Sequence, residues 1–429
     1  MVSGIDLSPL AGIRVISTMI IVCLHRGFRT MRVATSNAEY LTSWARSHSR
    51  FAWVYRGTLC VDTFFLLAGL LLAAVTRADR KSSFPNIMFN RALRLLPVYA
   101  IVVLFCCTAL PDMGEGPLWV EVAQPVADSC RKWWWSNLLF IQNYVNGGTD
   151  EPMCMEHSWS LAVDMHLFIA GTLLLRWLPV GMRGLAALLG LAVLATVPLT
   201  VGTLLGGWPA TPPWTLRNIQ RVWAMPFLYQ AYVPTHMRAP PYLLGLAAGK
   251  ALHMLKNAGF RPGRAVTLLA TVASLASMVA VVCFGASLND LRVPYSALAS
   301  GLYAGLAPFA WSAAIAVLII VTVLGEPSVV RSLLSWQPLV TLSRLTFPVY
   351  LVSYPLQTLL TAAHRDAVRF TPLAMVPDAM SDCVISFAVS FWLFVVVEAP
   401  IRSVAKKALS RLGDSSKPQS KTALIRKSD

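Results

Sequence analysis

His25 and Arg14 stand eleven residues apart in one apolar run, GIRVISTMIIVCLH. In an α-helix eleven residues make about three turns plus about 20°, so both side chains share a face, roughly 16 Å apart along the axis. An imidazole changes charge near neutral pH and suits a general base. A guanidinium inside a bilayer costs about 2.5–3.5 kcal/mol on insertion scales and turns toward a polar interior. This stripe therefore suits a site that reaches into a membrane. The bland alternative has Arg14 snorkelling to one surface and His25 lying at the interface.

Arg91 and Arg94, in FNRALRLLPVYA, lie three residues apart on one helical face. Paired guanidiniums match a phosphate-bearing ligand, although positive anchoring at a membrane surface would use the same residues. Pro97, one turn later, would kink the helix there. Asp62 lies in VDTFFLLAGLLLA, and Asp164 lies in HSWSLAVDMHLF with His157 and His166 beside it. Such acids read as charge-balancing or orienting groups paired with arginines, and Glu398, in VVVEAPIR, is expected to pair with Arg91 or Arg94. The chain has no HExxH, P-loop, GxGxxG or GxSxG pattern, and nothing in it indicates a bound metal.

These residues need helices to position them. Of 429 residues, 56% are hydrophobic and only 13% charged, about half the charge of an ordinary soluble chain. The class is an all-α, polytopic transmembrane bundle. Apolar runs predict roughly ten spans, near 9–25, 57–76, 93–111, 158–178, 184–206, 240–255, 265–285, 296–324, 338–361 and 381–400. The 296–324 run is long enough to be tilted or broken. Residues 1–405 form the membrane domain, and 406–429 a basic cytoplasmic tail expected to be disordered. The N-terminus lacks a basic region before the first run, which reads as a retained helix.

The net charge of +16 does not indicate nucleic acid, because the basic residues are spread over short loops. Lys406, Lys407, Arg411 and the basic residues after them place the C-terminus in the cytoplasm, and an even span count brings the N-terminus to the same side. Of the lysines, only Lys132 then falls outside. Against this stands a first external loop holding Arg26, Arg29, Arg32, Arg46, Arg50 and Arg56. WWWSN at 133–137 resembles an aromatic belt. Cys23, Cys60, Cys106, Cys107, Cys283 and Cys383 read as packing residues, whereas Cys130 and Cys154 flank a polar loop and would form a disulfide in an oxidising lumen.

Eight segments in order carry a resemblance: GIRVISTMIIVCLHRGF, RGTLCVDTFFLLAGLLLA, FNRALRLLPVYA, WWWSNLLFIQNYV, CMEHSWSLAVDMHLFI, PTHMRAPPYLLGLAAGK, LLSWQPLVTLSRLTFPVYLVSYP and VVVEAPIR. Over residues 12–402 the chain resembles the integral-membrane acyltransferase family 3, within it the animal "nose resistant to fluoxetine" branch. The resemblance implies transfer of a group other than aminoacyl, from a cytoplasmic acyl-CoA-type donor to a hydroxyl acceptor across the membrane. It implies catalytic roles for His25 and Arg14 and donor binding by Arg91 and Arg94. The donor is a co-substrate, no cofactor is bound, and membrane lipids are the remaining partners. A plasma-membrane or secretory-pathway location follows. Relatives commonly carry a cysteine-rich extracellular domain before the membrane part, a histidine where this chain has Ser353 and Tyr354, and a glutamine at His166. A non-catalytic lipid or small-molecule transporter on the same fold is the alternative.

Overall fold

The computed structural model describes residues 4–46, 57–78, 83–145, 153–210, 227–288 and 294–405; the expected tail at 406–429 and the loop arginines Arg50 and Arg56 lie outside them. Fifteen α-helices of six or more residues carry the described chain. They are α1 (Pro9–Arg32), α2 (Ala38–Arg46), α3 (Leu59–Ala78), α4 (Phe84–Thr108), α5 (Gln124–Leu138), α6 (Trp159–Trp177), α7 (Met182–Leu194) and α8 (Val197–Gly206). Then follow α9 (Ala239–Asn257), α10 (Arg264–Ser287), α11 (Ala297–Leu324), α12 (Val329–Leu334), α13 (Gln337–Leu342), α14 (Thr346–Ala362) and α15 (Pro372–Leu393). Among the described residues there is no β-strand, only an isolated bridge between Thr35 and Val368.

Seven helical segments are long and apolar enough to cross a membrane, and Leu59–Ala74 is a shorter apolar helix. The protein is an integral membrane protein by that criterion. All ten apolar runs are helical, but their limits differ from expectation. The 184–206 run divides into α7 and α8 just before Pro198, and the 338–361 run divides into α13 and α14. The 296–324 run is one helix, which continues through Pro308. Likewise α4 continues through Pro97 and begins at Phe84, so Arg91 and Arg94 lie two turns inside it.

The first run ends later than hydropathy suggests. α1 extends to Arg32, and Arg26 and Arg29 are buried on it instead of lying in an external loop. The physical reason is that the bundle pairs Arg26 with Asp382 and Arg32 with Glu156, so the helix runs on past the first arginine after His25. The same rule holds at helix starts. Ser296, Ser328 and Thr371 each accept a backbone N–H with the side chain, satisfying a donor the first turn leaves open.

α1 runs through the centre of the bundle and packs on α3, α14 and α15. α3 and α9 form the closest pair. A Cβ at Gly69 would strike the Tyr242 carbonyl, and one at Gly245 the Leu66 carbonyl, so only glycine permits this approach. Large apolar side chains, among them Leu66, Leu67, Leu70 and Ile319, close the core between α3, α9 and α11.

Candidate functional site

Two chambers lie along α1. The larger, about 540 Å³, opens between α1, α3, α4, α6 and α14. Its walls are mostly apolar, with Phe64, Phe65, Leu72 and Phe347 among them, while Arg14, Arg91, Arg94 and Asp164 supply its charge. Arg91 forms an ion pair with Asp164 and its guanidinium lies 3.8 Å from the centre of the Phe168 ring. Arg14 and Arg94 form no ion pair among the described residues. Three guanidiniums face one carboxylate, so the chamber carries net positive charge and favours an anion.

The smaller chamber, about 100 Å³, holds His25, Arg29, Arg32, Glu156, His157, Tyr350 and Tyr354. The rings of His25 and His157 meet edge to face, with centroids 5.7 Å apart. His157 stacks on Tyr354 at 4.7 Å, and His25 stands 6.2 Å from that same ring. Arg32 donates to both carboxylate oxygens of Glu156, at 2.7 and 2.5 Å. Ile21, Val61 and Tyr350 line both chambers, so the two abut at one narrow wall. α1 places Arg14 on one side of that wall and His25 on the other.

Two devices hold the His25 end in place. Arg26 grips Asp382 of α15 through two nitrogens, Nε at 2.5 Å, while Gln357 Nε2 of α14 donates to the same carboxylate at 2.9 Å. Both members are almost fully buried, with 8% and 1% of their side chains exposed. The second device is the disulfide between Cys130 and Cys154. Asn137 donates to the Cys154 carbonyl at 2.9 Å and Gln142 to the Ser158 carbonyl at 2.8 Å. Residues 154–158 are thus tied to α5 and its following turn, with Met155 at φ 51 turning the chain so that Glu156 and His157 meet α1. Tyr350 fastens the other side by donating to the His157 carbonyl at 2.5 Å.

Each residue singled out from sequence has a definite place. Arg14 and His25 share the inner face of α1, and Arg91 and Arg94 face the larger chamber together with Asp164. Asp62 lies 3.5 Å from Arg238, in a separate buried contact. Glu398 forms its ion pair with Arg402, one turn away, and not with Arg91 or Arg94; an i,i+4 partner on its own helix is nearer than one across the bundle. His157, expected to be structural or charge-balancing, lies in the His25 cluster, and both its ring nitrogens are buried without a hydrogen-bond partner. Ser353 is buried and lines neither chamber, while Tyr354 next to it lines the smaller one. His166 accepts or donates a hydrogen bond with Thr235 at 2.9 Å.

Sequence reasoning missed Arg29, Arg32, Glu156, Tyr350 and Tyr354. The first two were legible: positions 25, 29 and 32 follow the i, i+4, i+7 period of one helical face. Ending the helix at His25 hid them.

A family model described as an acyltransferase domain matches residues 7–398. Nose resistant to fluoxetine protein 6 of Caenorhabditis elegans is 26% identical over 380 residues, 82% of this chain and 45% of the relative. The putative peptidoglycan O-acetyltransferase YrhL of Bacillus subtilis is 25% identical over 328 residues, 73% of this chain and 46% of the relative. The peptidoglycan O-acetyltransferase OatA of Listeria monocytogenes is 24% identical over 328 residues, covering 73% and 47%. The chain spans less than half the length of these curated relatives. No solved structure matches it.

Proposed function

This chain belongs to the acyltransferase-domain family, and from that membership we propose that it moves an acyl group from a thioester donor to a hydroxyl acceptor across the membrane. The observation that carries the reading is the pair of chambers meeting at Ile21, Val61 and Tyr350, one net positive and one built around an imidazole. Arg91 and Arg94 hold the anionic part of an acyl-CoA-type donor, since guanidinium forks match phosphate oxygens. The donor's thioester reaches past the shared wall toward His25. Neutral His25 takes the proton of the acceptor hydroxyl as its oxygen attacks the carbonyl carbon. The ester C–O bond forms, the C–S bond breaks, and the thiolate leaves to be protonated in turn. Arg14 stabilises charge along the donor path, and Asp164 fixes Arg91.

Orientation is part of the proposal. Asp6–Arg331 at 3.3 Å, Ser8–Ser335 at 2.9 Å and Lys250 to the Pro179 carbonyl at 2.6 Å tie together the end of the bundle where α1 starts. Arg183, Lys256, Arg264 and Arg331 cluster at the helix ends there, whereas Asp112, Glu115, Glu121 and Asp128 lie toward the end where α1 finishes. Positive charge stays in the cytoplasm during insertion, so both termini and the donor chamber face inward and His25 faces the outer side. The plasma membrane or a secretory-pathway membrane fits this arrangement, and the disulfide then lies on the oxidising side.

Transfer from radiolabelled acetyl-CoA in proteoliposomes tests the reading, with release of the free thiol measured in parallel. His25→Ala is expected to lose transfer by at least about a hundredfold, the usual scale of general-base catalysis. Unchanged transfer in that variant overturns the mechanism. The abutting chambers also favour a second reading, a passage for a lipid or small solute; flux without thiol release that survives His25→Ala identifies it.

A further inference from the structure

The charge count of the His25 chamber does not close. Arg26 has Asp382, Arg32 has Glu156, Arg91 has Asp164 and Arg238 has Asp62. Arg29, one helical turn beyond His25, has no carboxylate among the described residues, although it is only 5% exposed. Its Nε and Nη2 are both buried without a hydrogen-bond partner. The guanidinium lies 4.0 Å from the centre of the Tyr354 ring, and it stands in the last two turns of α1, where the helix dipole favours a cation. Those two contacts offset part of the cost of burial but accept no hydrogen bond. A buried cation with two open donors calls for an anion.

Around Arg29 the other open groups point the same way. His25 Nδ1, both nitrogens of His157 and the Tyr354 hydroxyl are buried without hydrogen-bond partners, and all three side chains line this chamber. The wall carries donors and acceptors for a polar guest and one uncompensated positive charge. A thioester and a plain alcohol are both neutral and leave that charge unanswered.

We propose that the acyl acceptor is a hydroxyl compound bearing an adjacent phosphate or carboxylate, and that Arg29 binds this anionic group while His25 receives the hydroxyl proton. The proposal rests on the acyl-transfer reading above and names its acceptor class. Nε and Nη2 of a guanidinium lie side by side and match two oxygens of one phosphate or carboxylate. One turn of helix, about 6 Å, separates Arg29 from His25, which suits a charge and a hydroxyl a few bonds apart. Transfer itself is unchanged: the hydroxyl oxygen bonds to the donor's carbonyl carbon, the thiolate leaves, and the proton passes through His25. The anionic group is bound and takes no part in bond making.

The experiment uses the full chain in nanodiscs with radiolabelled acetyl-CoA and two matched acceptor pairs. Glycerol against glycerol 3-phosphate tests a soluble anion, and monoacylglycerol against lysophosphatidate tests a lipid-borne one. In each variant the ratio of kcat/KM for the charged acceptor to that for the neutral one is read, and binding of labelled glycerol 3-phosphate or lysophosphatidate is measured separately. In at least one pair the unaltered protein is expected to prefer the charged member by about ten- to a hundredfold. Arg29→Gln brings that ratio toward one and abolishes saturable anion binding. Arg29→Lys, which keeps the charge without the fork, gives an intermediate ratio and guards against a folding defect. Equal use of charged and neutral acceptors overturns the proposal, as does a preference that survives Arg29→Gln. A loss in Arg29→Gln that is the same for charged and neutral acceptors also overturns it, because that marks transition-state stabilisation instead of acceptor recognition. Absence of both transfer and Arg29-dependent anion binding overturns it too. Anion binding that depends on Arg29 without any acyl transfer supports the anion site and counts against the acyl-transfer reading alone.

Discussion

Replacing Asp382 with alanine should damage the protein more than any exposed substitution. The carboxylate accepts Nε of Arg26 at 2.5 Å, a second Arg26 nitrogen, and Gln357 Nε2 at 2.9 Å. Removing it strands a guanidinium whose side chain is 8% exposed, with only the Thr361 hydroxyl left to it at 3.3 Å. Breaking one side of a buried pair costs about 3–5 kcal/mol. At about 1 °C per kcal/mol for a chain of this size, the melting temperature in detergent should fall by about 3–5 °C. The double variant Arg26→Met/Asp382→Leu removes both charges, and such exchanges are commonly neutral or stabilising, so it should regain most of that loss. The assay is thermal unfolding followed by tryptophan fluorescence, with size-exclusion elution checked after each melt. If Asp382→Ala melts within about 2 °C of the unaltered protein, the pair does not hold α1 against α14 and α15. If the double variant is no better than the single one, the unpaired charge is not the cause.

Arg94→Gln should raise KM for acetyl-CoA about tenfold with a smaller change in kcat, read from initial rates in proteoliposomes; a loss confined to kcat would remove Arg94 from donor binding. Replacing Cys130 and Cys154 with alanine should cost about 2–4 kcal/mol and abolish the shift in gel mobility that reduction causes in the unaltered protein. Ready alkylation of both thiols in the native, unreduced protein would refute that. Gly245→Val should force α3 and α9 apart at the Leu66 carbonyl and destabilise by about 1–3 kcal/mol, measured by the same melting assay; an unchanged melting temperature would mean that the approach of the two backbones is not tight.

Periodic features were readable in the sequence and partnered ones were not. Arg14 and His25 share a face because eleven residues is close to a whole number of turns, a property of the helix alone. The apolar runs marked the helices, since a bilayer asks for length and hydropathy before anything else. What failed were the places where a distant partner decides. Nothing near Arg26 announces Asp382, 356 positions later, so hydropathy ends α1 at His25, just before the arginine-rich stretch. Glu398 was assigned to another helix when its own supplied Arg402. His157 stands near Asp164 and His166 in sequence, yet the short 3₁₀ turn at residues 156–158 before α6 brings it to His25. Divisions of the 184–206 and 338–361 runs depend on local backbone turns, which a hydropathy average smooths over.

The glycine contacts between α3 and α9 join those two helices backbone against backbone, so α3, which lines one flank of the larger chamber, is braced from behind. The opposite flank is built differently. There α4 and α6 do not pack closely on each other, and Arg91 reaches across to Asp164 and Phe168. A latch of side chains releases far more easily than a welded seam. Arg91 thus has two places at once, bridging α4 to α6 and facing the same space as Arg14 and Arg94.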